Sequence, residues 1–247
     1  MSDAFLEASG VGMRFGRFQA LSNITVSFRA NELCAIIGPN GAGKSTFFNI
    51  ISGSLTPTTG KVRFRGEDVT GLAPHTYARR GIAKSFQITN VFKQLSAHEN
   101  VRVAAQMRQA RFDFITPRSQ LREADAQAHA LLERVGLAPL ARRTAGDLAH
   151  GQQRALEVAM ALASDPQLLL MDEPTAGMSP EETTVMMDLI TTLAAERTVI
   201  LVEHKMKLVM GICRRLIVLH HGEFLAEGTP DDIRANAEVR RVYLGQG

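Results

Sequence analysis

Gly38, Gly41 and Gly43, followed by Lys44, Ser45 and Thr46, are spaced to hold a chain of phosphates. Residues 38–46 read Gly-Pro-Asn-Gly-Ala-Gly-Lys-Ser-Thr, a full match to the P-loop pattern G-x-x-x-x-G-K-[ST]. Glycine lets the backbone take positive φ and come close to a ligand. The N–H groups of Gly38, Asn40, Gly41, Ala42, Gly43, Lys44, Ser45 and Thr46 can then form a concave nest for phosphate oxygens. Lys44 can reach the β- and γ-phosphates, and the Ser45 hydroxyl can hold Mg²⁺. This chemistry calls for a nucleoside triphosphate, but the loop alone does not say what its energy drives.

A hydrolase of such a substrate also needs carboxylates at the end of a second strand. Residues 168–173 read Leu-Leu-Leu-Met-Asp-Glu and supply them. Asp172 can complete the Mg²⁺ shell, as in P-loop enzymes generally. Glu173 can polarise an attacking water, provided it comes within hydrogen-bond reach.

The elements around these residues fit the task. Residues 33–37 form a short apolar run, the mark of a buried strand, directly before the glycine-rich loop. Residues 47–51 continue as a helix whose N-terminus favours anions. Residues 6–15, 24–28 and 82–86 also read as strands, with a hairpin around 65–67 and a short helix over 74–80 stopped by Gly81. From about 96 to 163 the pattern is almost wholly helical. Ser96 to Glu99 forms a capping box, and Thr116-Pro117 reads as an N-cap with proline in the first turn. Leu121, Ala124, Ala128, Leu131 and Val135 then share one face. Beyond Pro166, apolar strands alternate with helices: strands over 168–171, 198–202 and 216–219, helices from Pro180 and Lys205. That alternation implies a parallel sheet covered on both faces. The methionines at 160, 186, 187, 206 and 210 recur at helical spacing in apolar context and read as packing.

Composition sets outer bounds. A chain of 247 residues suits one large α/β domain with an insertion. It is 45% hydrophobic and 21% charged, with a formal net charge of +3. Its arginines fall in scattered pairs without interleaved aromatics, so a nucleic-acid partner is not expected. No apolar run approaches the roughly 18 residues of a membrane span. The first residues carry acids and no basic region, so a secretory signal is not expected either. Cys34 and Cys213 lie in apolar stretches and read as buried thiols in a reducing compartment.

Leu148-Ala149-His150-Gly151-Gln152-Gln153 stands upstream of Asp172-Glu173-Pro174-Thr175. In this order the whole chain resembles an ATP-binding cassette (ABC) ATPase, most closely the LivG type of branched-chain amino-acid importers. Residues 81–87, 150–157, 203–211 and 243–245 carry the closer resemblance. The resemblance implies an α/β P-loop NTPase, RecA-like, with a mostly parallel sheet, an N-terminal antiparallel β subdomain and an inserted helical subdomain. On that reading 1–89 and 156–228 form the nucleotide-binding core, 90–155 the helical subdomain and 229–247 a helical tail. It assigns Phe15 to stacking on adenine. Gln87 would sense Mg²⁺ and γ-phosphate, and His204 would contact γ-phosphate and orient the water. Ser45, Gln87 and Asp172 become the metal set, with Glu173, His204, Lys44 and Gln87 catalytic. Ala149, Gly151 and Gln152 begin a helix that points at ATP held by a second ATPase subunit, identical or paralogous. Membrane-spanning permease subunits and, indirectly, a periplasmic solute-binding protein are the remaining partners. The chain would sit on the cytoplasmic face of the inner membrane.

Three positions depart from the family pattern. Where the signature loop usually reads Leu-Ser-Gly-Gly-Gln, serine becomes Ala149 and the first glycine His150. The usual aspartate of the following loop is Ser179, which here opens Ser-Pro-Glu-Glu and can cap a helix. Ala149 has no hydroxyl to donate to a partner's ATP, which leaves open how fast that site fires. The 107–118 stretch, with Arg108, Arg111, Phe112 and Phe114, reads equally as a permease contact or a solvated loop. Alternative functions are a urea or amide importer, a lipopolysaccharide-type exporter, a non-transport ABC ATPase or a small-molecule kinase. A kinase would leave residues 148–152 and His204 without a role.

Overall fold

The computed structural model describes residues 4–85, 91–109 and 118–244, with the side chains of 107–109, 118–121, 243 and 244 excepted. In chain order the first elements are β1 (Leu6–Phe15), β2 (Phe18–Phe28), β3 (Leu33–Ile37), α1 (Lys44–Ile51), β4 (Thr59–Phe64) and β5 (Glu67–Asp68). There follow α2 (Pro74–Arg79), β6 (Ile82–Ser85), α3 (Ala97–Gln109), α4 (Arg118–Arg134) and α5 (His150–Leu162). The last part holds β7 (Leu168–Asp172), α6 (Pro180–Ala194), β8 (Thr198–Val202), α7 (Met206–Ile212), β9 (Arg215–His220), β10 (Glu223–Gly228) and α8 (Pro230–Ala235).

Two sheets result. A six-stranded sheet runs in the order β10-β9-β3-β8-β7-β6, and a four-stranded one in the order β2-β1-β4-β5. In the larger sheet β9, β3, β8, β7 and β6 are parallel, and β10 alone is antiparallel, returning from β9. The smaller sheet is antiparallel throughout.

Every residue of β3, β7 and β8 is buried, because both faces of the large sheet are covered. Strand alternation divides them between two cores. Leu33, Ala35, Ile37, Leu169, Met171, Val199 and Leu201 join Leu156, Met186, Ile190 and Val209 of the helices. Cys34, Ile36, Leu168, Leu170, Ile200 and Val202 join Phe47, Phe48 and Ile51 of α1 and Leu6, Val26 and Phe28 of the small sheet. The architecture is therefore an α/β core flanked by an antiparallel sheet and by helices.

Most element boundaries follow the sequence. Ser96 caps α3 as a box: Ser96 N–H and Oγ donate to Glu99 Oε2 at 2.9 and 2.8 Å, and Glu99 N–H returns to Ser96 Oγ at 3.1 Å. The helix expected from Lys205 starts at Met206, with Lys205 at its N-cap. β2 is longer than the 24–28 run, and β10 is an edge strand the apolar pattern did not show. Residue 86, the Thr116-Pro117 cap and the side chains of 107–118 lie outside those described.

Candidate functional site

The parallel strands end at one edge of the sheet, and the candidate residues collect there. The loop between β3 and α1 carries Gly38 to Gly43, and α1 begins at Lys44 with Gly43 as its N-cap at φ +93°. Only glycine takes that conformation cheaply at a helix start packed this closely. A Cβ on Gly43 would stand 2.5 Å from Leu21 Cδ2, and one on Gly38 would stand 2.1 Å from the Leu219 carbonyl oxygen. The loop is thus pressed onto β2 and β9, and Ala42 N–H closes a turn within it on Pro39 O at 3.2 Å. Gly222 N–H, in the β9–β10 turn, donates to Ala42 O at 3.1 Å and fixes the loop from beneath.

Lys44 is buried and donates to the carbonyls of Gly38 at 2.8 Å and Pro39 at 2.9 Å. Burial pulls its ammonium below the usual lysine value, while the nearby charges of Glu173 and Asp172 push it back up. Ser45, Asn40 and Gly41 are exposed at the mouth of the loop, and Thr46 is half-buried.

Asp172 and Glu173 share a strand end but have different surroundings. Asp172 is 4% exposed, and among the described residues its Oδ1 has no hydrogen-bond partner. Burial pushes its carboxyl above the usual range, Lys84 opposes that, and the Glu173 charge adds to it. A buried carboxylate oxygen without a donor, near Lys44 and the mouth of the phosphate loop, suits a divalent cation. The donor set of one carboxylate and one hydroxyl suits Mg²⁺, which keeps much of its shell for water and phosphate.

Glu173 leaves the strand at φ +47°, in the left-handed region that non-glycine residues rarely occupy. Its N–H still pairs with Val202 O at 2.8 Å. The kink turns its carboxylate toward His204, whose Nε2 lies 2.7 Å from Glu173 Oε1. His204 is brought there by β8, the strand beside β7: Asp172 registers with Val202.

Sequence reasoning missed three supporting residues. Lys84 of β6 reaches Asn49 Oδ1 at 2.6 Å and lies over the Phe48 ring at 5.3 Å. Burial lowers its ammonium and the Asp172 charge raises it. Glu203 is 3% exposed, and its Oε1 accepts from Thr175 N–H at 3.1 Å and from Thr175 Oγ1 at 2.5 Å. Its Oε2 accepts from His204 N–H at 3.1 Å. Lys84 lies within β6 and Glu203 directly follows β8, so a charge in or beside a short apolar run was the signal, while the partner of each comes from strand register. Phe18 is the third: it pairs directly across the hairpin from Phe15, and the two are 67% and 49% exposed. Both aromatics therefore stand free at the tip of the β1–β2 hairpin, whose Ala20 and Leu21 touch the phosphate loop at Gly43.

Ala149 is the N-cap of α5 and offers no side-chain acceptor there; Gln152 Oε1 instead accepts from Ala149 N–H at 3.0 Å. His150 and Gly151 contact residues 176 and 182. Ser179 caps α6, its Oγ accepting from Glu182 N–H at 3.2 Å. Gln87 lies outside the described residues.

A glycine-rich phosphate loop, a buried aspartate and a glutamate–histidine contact, all at one edge of a parallel sheet, define a P-loop nucleotide-hydrolysing cassette. The chain belongs to the ABC transporter family, whose model matches residues 21–176, and it is an ATP-binding ABC ATPase. A second model, for branched-chain amino acid ATP-binding cassette transporters, matches residues 225–247. The chain is 42% identical to the high-affinity branched-chain amino acid transport ATP-binding protein BraF of Pseudomonas aeruginosa, over the whole of both chains. Its structure matches the ADP conformation of the ABC-transporter cassette MJ1267 with a TM-score of 0.86 at 28% identity, covering 99% of this chain and 100% of that one. It also matches the cassette MJ0796, a dimer bound to ADP and Pi, with a TM-score of 0.77 at 28% identity, covering 91% and 98%.

Proposed function

We propose that this chain is the motor subunit of an importer for branched-chain amino acids and that the residues above divide the work as follows. Phe15 stacks on adenine. The N–H groups of Gly38 and residues 40–46 and the Lys44 ammonium hold the phosphates. Ser45, Gln87 and Asp172 hold Mg²⁺, which when bound neutralises phosphate charge. Glu173 accepts a proton from the attacking water, and His204 holds that water and carboxylate in line. Most of the rate then comes from positioning and fixed charge rather than covalent chemistry.

Ala149, Gly151 and Gln152 begin a helix whose positive end suits a phosphate held by a second ATPase subunit. Closure of the pair on ATP and opening after hydrolysis would drive permease subunits, with a periplasmic binding protein supplying the solute. No helix of the described residues is long and apolar enough to cross a membrane. The chain accordingly docks at the cytoplasmic face through those permeases. The match of residues 225–247 to the branched-chain model favours this solute class over an exporter role.

The observation that carries the catalytic reading is the 2.7 Å contact between His204 Nε2 and Glu173 Oε1 beside the buried Asp172. Its test is Glu173→Gln in the assembled transporter. ATP hydrolysis should fall by about 100-fold or more, the worth of a general base. ATP binding should persist, and leucine uptake should fall in step with hydrolysis. Turnover like that of the wild type would remove Glu173 from the mechanism.

A further inference from the structure

His150 replaces a glycine of the family's signature loop and makes a contact that glycine cannot. Its Nε2 lies 3.0 Å from the Ala176 carbonyl oxygen. A carbonyl only accepts, so the imidazole must present Nε2–H. The next residue, Gly151, donates its N–H to Glu182 Oε1 at 3.2 Å. A Cβ there would stand 2.7 Å from that same oxygen, so α5 and Glu182 are in close contact. The second oxygen of Glu182 accepts from Ser179 N–H at 3.0 Å. The start of α5 is therefore tied at two points to the segment that follows Glu173.

That segment reaches Glu173 directly. Ala176, whose carbonyl His150 holds, donates its own N–H to Glu173 O at 3.0 Å. Thr175 beside it is fixed by the buried Glu203, which also holds the His204 backbone. Glu173 itself sits at φ +47°, a conformation its neighbours must impose on it. Its carboxylate direction therefore depends on where residues 174–178 are held.

We propose that His150, braced by Glu182, is a positioning residue for Glu173. It joins the tip of α5 to the catalytic loop of the same chain. The proposal rests on the function proposed above. In that setting the α5 tip meets the nucleotide of the other subunit. The strut would then make the aim of each Glu173 depend on whether its own chain has engaged the partner's ATP.

Two variants test this. His150→Leu keeps the bulk and removes the donor, and His150→Gln keeps an N–H donor of comparable reach. In the assembled transporter, His150→Leu should lower kcat for ATP hydrolysis about three- to tenfold, the rate equivalent of one neutral hydrogen bond. KM for ATP should stay unchanged, and His150→Gln should recover most of the loss. In the isolated chain, amide hydrogen exchange over 174–178 should quicken in the leucine variant and slow again in the glutamine one. A leucine variant with wild-type kcat overturns the strut, as does an equal loss in both variants, which would indicate packing alone. If the wild-type transporter fails to hydrolyse ATP, the parent function falls, whatever the exchange shows. If it hydrolyses ATP and the leucine variant matches it, only the strut falls.

Discussion

Two neighbouring carboxylates carry the site, and backbone geometry separates their duties. Asp172 is the last residue of β7 and stays in the sheet, so burial acts on it and its carboxyl is pushed above the usual range. Glu173 turns out at positive φ and meets His204 in a half-buried position. A raised folded-state value means that Asp172 binds its proton more tightly folded than unfolded. The stability linked to that proton is complete below the ordinary carboxylate range and is lost as pH rises through the raised value. Asp172→Asn removes this titration. The Tm of the nucleotide-free variant minus that of the wild type should therefore grow from about pH 4 to pH 7, starting in the ordinary carboxylate range. A difference that stays flat over that interval would show that Asp172 is not held in a desolvated place. The carboxylates, Lys44 and the phosphate loop were legible in the sequence because each motif is contiguous. Lys84, Glu203 and Phe18 were not, since their meaning comes from strand register. Lys84 matters because β6 lies beside β7, with Lys84 opposite Leu170.

Among the elements, the fully buried strands were the easiest to read. Residues 33–37, 168–171 and 198–202 are continuous apolar runs because both faces of the sheet are covered. β10 was hidden because it is an edge strand with mixed exposure, running Glu-Phe-Leu-Ala-Glu-Gly. The first half of β2 was hidden for another reason. Its pairing with β1 shifts register repeatedly, so no clean alternation survives before Ile24. The phosphate loop is held by Leu21, in the less legible half of β2, and by Leu219 of β9, which the sequence did show. Gly38→Ala would force a Cβ to 2.1 Å from the Leu219 carbonyl. We expect a loss of at least about 2 kcal/mol, since an incompatible Gly→Ala change costs more than the entropy it saves. That corresponds to roughly 4–8 °C in Tm for a chain of this size. Gly41 sits at φ +79° with nothing within 4 Å of an added Cβ. Gly41→Ala should therefore cost only its backbone strain, about 1 kcal/mol. Equal melting shifts in the two variants would show that the loop is not pressed against β9.

At the scale of the whole molecule, the proposed function makes the phosphate loop one half of a site. Lys44, Asp172, Glu173 and His204 gather at one edge of the sheet. The start of α5, with Ala149 at its cap, contacts residues 176 and 182 of its own chain. In the proposed function its anion-attracting end serves a second subunit; the related cassette MJ0796 was solved as a dimer with ADP and Pi. On the proposed function, closure of two such subunits on ATP would give a two-state element whose balance the nucleotide sets, as a transport motor requires. The most direct test is the mass of the Glu173→Gln chain by light scattering at saturating ATP and Mg²⁺, alone and mixed with the ATPase subunit that co-purifies with its permease. The account predicts a monomer without nucleotide and a particle of two ATPase subunits with ATP, in at least one of the two samples. A chain that binds ATP and remains monomeric in both would contradict it.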